Sequence, residues 1–163
     1  ISGVNFSPEL SWFFFSIVIV LWLPILKILL YRIIFNDPLS EKLLPTMFIM
    51  LAPPAVGFIS YVKLTNGVDN FAKILFNFGV FTFIFLLTFV RRLTGIKFYL
   101  SWWAYTFPLA AFTISMVLFY HITHVLFYKT AVLVLFALTA ITVLIVVLKT
   151  FIGASKGEIC VEE

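Results

Sequence analysis

Charge is scarce in this chain. Only 11% of its 163 residues are Asp, Glu, Lys or Arg, where a soluble domain carries about a quarter. With 63% of residues hydrophobic and a mean hydropathy of +1.17, too few polar side chains exist to cover a surface in water. The solvent of such a chain is lipid. Cysteine is nearly absent as well: Cys160 stands alone, which excludes a disulfide framework. Its setting, CVEE, excludes prenylation, because that signal wants aliphatic residues where Val161 and Glu162 stand. The chain opens at Ile1, and no basic leader precedes the first apolar run. A longer protein is therefore expected, with this chain as part of it.

Other absences narrow the function. The net charge of +4 comes from basic residues scattered between apolar runs, so no patch for nucleic acid forms. No nucleophile–base pair and no three-ligand constellation is visible, which argues against an enzyme, a metal centre or a bound cofactor. His121 and His124 lie three apart, but zinc needs at least a third protein ligand, and none is placed nearby. No ionisable residue lies deep in an apolar run, which weighs against a proton relay within this stretch.

What remains is a succession of charge-free runs. Residues 10–26, 43–62, 74–90 and 130–148 each approach the roughly 20 residues a bilayer requires. A fifth run, 98–128, is long for one helix, and His121 and His124 suggest that it ends near residue 120. The expectation is an all-α integral membrane domain over 1–163, with helices at about 10–34, 43–64, 70–93, 100–120 and 126–151 and a cytoplasmic tail over 152–163. The connecting FNDPLSEK, TNGVDN and TGIK hold the punctuation of turns. Lys27, Arg32, Lys42, Arg91, Arg92, Lys97, Lys149 and Lys156 fall on one side, and Lys63, Lys73 and Lys129 on the other. Cationic loops stay in the cytoplasm, so a multi-pass protein of the cell membrane with a cytoplasmic C-terminus is expected.

The helices differ in kind. The third and fifth have no proline and are bulky around the whole circumference, as expected of lipid-facing helices. The second carries Pro53 and Pro54 near mid-membrane, with Ala55, Gly57 and Ser60 behind them. The fourth carries Pro108 among Ala104, Ala110, Ala111 and Ser115. Small residues let backbones approach closely. In a continuous α-helix these prolines would leave the carbonyls of Ile49, Met50 and Ala104 without donors. Broken helices survive at membrane depth only when buried in protein or lining a wet cavity, so the second and fourth are read as inner helices. The alternative is that the prolines are packing kinks alone.

LPTMFIMLAPPAVGFISY (residues 44–61) and WWAYTFPLAAF (residues 102–112) resemble the tellurite-resistance/dicarboxylate transporter family. That family includes bacterial tellurite-resistance proteins, malate permeases, fungal sulfite exporters and the plant guard-cell slow anion channels. The resemblance implies ten helices in five hairpins around a central pore, assembled as a homotrimer. This chain would supply helices six to ten, its C-terminal half. The resemblance also implies a phenylalanine plugging the pore, and Phe107, directly before Pro108, matches that position. Phe112 is the nearest competitor for the role.

The resulting expectation is an anion channel or anion-selective permease of the C4-dicarboxylate/tellurite-resistance type. Small inorganic or organic anions, malate among them, would pass a pore kinked by Pro53, Pro54 and Pro108 and gated by Phe107. Thr46, Gly57, Ser60, Tyr61, Thr106, Ala111 and Thr113 would line it, the hydroxyls offering hydrogen bonds unless they bond back to their own helices. The partners are anions, the bilayer and other copies of the chain, with no nucleic acid. A reading from another class is a non-conducting membrane subunit that packs against partner helices. The residues leave open which anion passes, and whether a channel or a proton-coupled carrier moves it.

Overall fold

The computed structural model describes residues 8–37 and 39–156, all but the side chain of Thr94. Helix α1 (Pro8–Phe35) is followed by a 3-10 segment (Leu44–Leu51) that runs directly into α2 (Ala52–Thr65). Then come α3 (Asn70–Leu87), the short α4 (Val90–Thr94) and a second 3-10 segment (Leu100–Tyr105) that runs into α5 (Thr106–Thr123). Helix α6 (Leu126–Ser155) closes the order. Five spans are long and apolar enough to cross a membrane: Pro8–Phe35, Leu44–Thr65, Asn70–Leu87, Leu100–Thr123 and Leu126–Ser155.

The expected third helix breaks before residue 93. The Thr88 hydroxyl and backbone N–H both donate to the Phe85 carbonyl, at 2.7 and 3.1 Å, and tighten the last turn of α3. A threonine that bonds its own backbone in this way competes with helix continuation, and α4 starts afresh. At the other end of the chain, α6 continues to Ser155, into the stretch read as tail. The rest of that stretch, 157–163 with Cys160, lies outside the described residues.

Turn chemistry explains the tight connections. Asn66, ahead of Gly67, takes a left-handed conformation (φ 53°) and ends α2. His124 does the same after α5 (φ 53°), its N–H donating to the Tyr120 carbonyl at 2.8 Å. That conformation suits few side chains other than asparagine and glycine. His124 is thus a helix-ending residue, and both it and His121 meet the Tyr120 ring.

Packing is aromatic and close. Phe76 of α3 and Phe119 of α5 stack face to face, with centroids 3.9 Å apart and planes 6° apart. Phe58 of α2 tilts against both, and Tyr128 of α6 meets Phe119 edge-on at 4.9 Å. One knot of rings therefore ties four helices. Helix α3 buries Ala72, Leu75, Phe76, Gly79, Thr82 and Leu86, a single stripe at helical spacing. Gly79 faces the Phe112 ring and Pro54, where an added Cβ would stand in ordinary contact at 3.5 and 3.9 Å, so α2, α3 and α5 meet at this point. Helix α1 stands apart, with Leu26 its only buried residue.

Between α2 and α3 the Tyr61 hydroxyl donates to the Asp69 carboxylate, which also accepts the Ala72 N–H at 2.9 Å and so caps α3. These donors, the tyrosine hydroxyl first, lower the carboxyl's pKa. The stabilisation is present above the ordinary carboxylate value of about 3.9 and is lost as pH falls through the lower folded value. Solvent screens this exposed group, so the effect is small. The thermal midpoint of the wild type is expected to drop more steeply below about pH 4 than that of Asp69→Asn. Parallel acid titrations of the two midpoints would refute the cap.

Candidate functional site

The spans that carry Pro53, Pro54 and Pro108 are the centre of the bundle. In the most apolar 18-residue stretch of each span, 56% of Leu44–Thr65 and 44% of Leu100–Thr123 is buried. The figures are 6% for Pro8–Phe35, 33% for Asn70–Leu87 and 11% for Leu126–Ser155. The inner spans pack on each other along both their 3-10 and their α portions.

Their prolines do not kink a continuous α-helix. Each span begins as a 3-10 helix and changes to α-helix two residues before Pro54 and before Pro108. Prolines in the first turn of an α-helix cost little, because those N–H groups have no helical partner in any case. The carbonyl of Ile49, expected to be orphaned by Pro53, instead accepts the Ala52 N–H in a 3-10 bond. Thr106 N–H likewise donates to the Trp103 carbonyl. A 3-10 run as long as Leu44–Leu51 is uncommon, and such runs mark hinges or strained stretches.

Each inner span leaves one face uncovered, in matching register around its proline. On the first, Ile49 (51% exposed) and Val56 (39%) are joined by the half-buried Pro53 and Ser60. On the second, Trp103 (43%), Phe107 (65%) and Ile114 (55%) are joined by the half-buried Ala110. Both sets repeat at i, i+4, i+7 and i+11, one face of a helix. Neither contains a charge. Phe107 and Pro53 hold equivalent places, each directly before the proline that follows the change of helix type.

Phe107 and Phe112 separate clearly. Phe112 is 1% exposed, stacked on Phe83 at 5.0 Å and seated over Gly79. It is a core ring, whereas Phe107 faces away from the core. Pro54 and Pro108 are buried. Gly57 and Ala111 are buried too, Gly57 against Ile19 and Leu75. Tyr61 sits among Trp12, Phe15 and Phe71 beside its bond to Asp69. The hydroxyls of Thr46, Thr106 and Thr113 donate to the carbonyls of Leu43, Trp103 and Leu109 at 2.6–2.8 Å, and Thr113 also meets Thr139 of α6 at 2.9 Å. Of these hydroxyls only that of Ser60 has no hydrogen-bond partner among the described residues. Reading the sequence missed Ile49, Val56, Ala110 and Ile114, although their spacing from the prolines was a usable signal.

Five crossing-length spans among the described residues, two of them inner spans built on one plan, define an α-helical multi-pass membrane protein. The sequence model of the voltage-dependent anion channel family matches residues 5–151, and the chain belongs to that family. It is a family of channels and transporters. The S-type anion channel SLAH3 of Arabidopsis thaliana is 28% identical over 142 residues, 87% of this chain and 22% of that protein. A tellurite resistance protein TehA homolog of Haemophilus influenzae is 31% identical over 114 residues, 69% of this chain and 34% of that protein. An uncharacterized transporter of Methanocaldococcus jannaschii is 32% identical over 115 residues, 63% of this chain and 33% of that protein. The chain thus spans between about a fifth and a third of the length of these relatives.

The two phenylalanines are expected to differ in stability. Phe112→Ala should destabilise by about 3–5 kcal/mol, the cost of emptying a core site. Phe107→Ala should shift stability by less than about 1 kcal/mol, as for a residue outside the core. Thermal unfolding in detergent checks both, and equal losses would place Phe107 in the core.

Proposed function

We propose that the chain supplies two pore-lining spans of an anion channel or anion-selective permease, with Phe107 as the ring that closes the pore. The observation carrying this reading is the 65% exposure of Phe107 on the most deeply packed pair of helices. A large apolar ring held there, outside the core, has room to change rotamer without disturbing the bundle. It stands just past a 3-10 segment, where a small change in helix type would rotate it.

Anions would pass along the faces of Ile49, Pro53, Val56 and Ser60 on one span and of Phe107, Ala110 and Ile114 on the other. Thr46 and Thr106 border this path with hydroxyls already committed to backbone, so Ser60 is the hydroxyl that donates to a passing anion. Without a fixed positive charge, the pore compensates little for lost hydration, and weakly hydrated anions are favoured. Weak binding also permits rapid release. Gly57, Ala111, Tyr61 and Thr113 support the path from behind. The same reading places the protein in the cell membrane with its C-terminus cytoplasmic, as part of a ten-helix protomer within a homotrimer. Malate and other dicarboxylates join the inorganic anions as cargo to be tested.

Voltage-clamp recording of the full-length protein, wild type against Phe107→Ala, tests the gate. Anion current should rise at least tenfold, equivalent to removing about 1.4 kcal/mol of barrier, and nitrate should be preferred over chloride. If neither protein conducts although both reach the membrane folded, the gate is refuted and a packing subunit is left.

A further inference from the structure

A cleft of about 420 Å³ opens between α3, α4, the second 3-10 segment and α6, and none of its lining residues belongs to the uncovered faces of the inner spans. Its volume falls within the range of about 300–1,000 Å³ typical of ligand pockets. Leu87, Val90, Leu138 and Ile145 form walls, and Trp102 and Tyr105 stand at its inner side. The polar groups in this wall are already engaged. Tyr105 Oη donates to the Leu93 carbonyl at 3.1 Å, Thr142 Oγ1 to the Leu138 carbonyl at 2.8 Å, and Trp102 Nε1 to the Lys97 carbonyl at 3.2 Å. A polar solute would therefore find hydrocarbon in the cleft.

One end is different. Lys149 lines the cleft with its Nζ 4.6 Å from the centre of the Trp102 ring and 5.9 Å from that of Phe98. An ammonium with three N–H groups that meets aromatic faces still has N–H directed away from the rings to offer an anion. No acidic residue lines the cleft, and the exposed Arg91 and Arg92 fall between two of its lining residues, Val90 and Leu93. Along α6, the stretch from Leu138 to Lys149 measures about 16 Å at the helical rise of about 1.5 Å per residue. That is close to half the hydrocarbon thickness of about 30 Å. The cleft is thus one leaflet deep, apolar throughout and cationic at its outer rim. A packed helix, about 10–12 Å across, is too thick for this volume over that length.

We infer that the cleft holds an acyl chain of an anionic phospholipid from the leaflet on the Lys149 side, with the phosphate against the Lys149 ammonium. Basic pockets between membrane helices bind anionic headgroups through the same charge complementarity. The inner side of the cleft is the 3-10 segment that leads to Phe107, so the lipid would lie against the element beside that ring.

Native mass spectrometry of the full-length protein, supplied with palmitoyl-oleoyl phosphatidylglycerol or phosphatidylcholine, tests the site. The wild type should retain phosphatidylglycerol in about fivefold preference, the scale of one basic residue near a headgroup. Lys149→Gln should erase the preference, and Ile145→Trp, which fills the cleft, should reduce retention of both lipids. Size-exclusion elution confirms folding, and if Ile145→Trp fails it, Lys149→Gln alone decides. No preference in the wild type, or a preference that survives Lys149→Gln, overturns the inference. So does a photo-crosslinker at Ile145 that captures a second copy of the chain instead of lipid.

Discussion

Backbone hydrogen bonding in hydrocarbon governs this structure. No water is available there to satisfy a lost bond, so a proline within a membrane span costs least where the missing N–H has no helical partner, a condition that Pro24, inside α1, does not meet. The two inner spans meet the condition in the same way. Each runs first as a 3-10 helix and restarts as an α-helix just ahead of its proline, in the first turn where N–H groups lack helical partners anyway. Hydroxyls follow the same rule. Thr46, Thr82, Thr106, Thr113 and Thr150 all donate to carbonyls on their own spans.

Association between helices then depends on close contact, since lipid tails are as apolar as the side chains they would replace. The stacked Phe76 and Phe119, with Phe58 and Tyr128 around them, join α2, α3, α5 and α6 near one end. Farther along, the Phe112 ring and Pro54 meet α3 at Gly79. These contacts hold the inner spans so that one face of each is largely uncovered, Trp103 alone on it reaching α6 through its N–H to Thr150 Oγ1 at 3.1 Å. On those faces stand an exposed Phe107 and side chains with no charge, the arrangement from which an anion path is proposed. The cleft at Lys149 arises from the same packing: α3 ends early at Leu87, and the gap beside α6 is bordered by α4 and the inner edge of the second 3-10 segment.

The lipid setting, the five crossing-length spans and the inner position of the spans with Pro53, Pro54 and Pro108 were legible in the sequence. Composition alone dictates the first, and run length the second. The local geometry was less legible. Pro53 suggested an orphaned Ile49 carbonyl because a continuous α-helix was assumed, and a 3-10 helix satisfies that group with the Ala52 N–H. Helix α3 looked bulky on every side, yet Ala72, Gly79 and Thr82 line up in its buried stripe, and their spacing could have revealed it. Thr88 ended that helix through its own side-chain bond, which propensity does not foresee.

Sequence by itself determined what is set by composition and covalent chemistry: a bilayer as solvent, the number of crossings, and the positions where proline forbids an ordinary α-helical bond. It also determined the turn at Asn66–Gly67. Which face of each inner span is buried, why Phe107 is exposed while Phe112 lies in the core, and where Lys149 meets an apolar cleft were decided only by tertiary packing. Two phenylalanines five residues apart have the same chemistry and differ by the neighbours that reach them. Those neighbours, Phe83 and Gly79 for Phe112, come from another helix, and no local pattern encodes that contact.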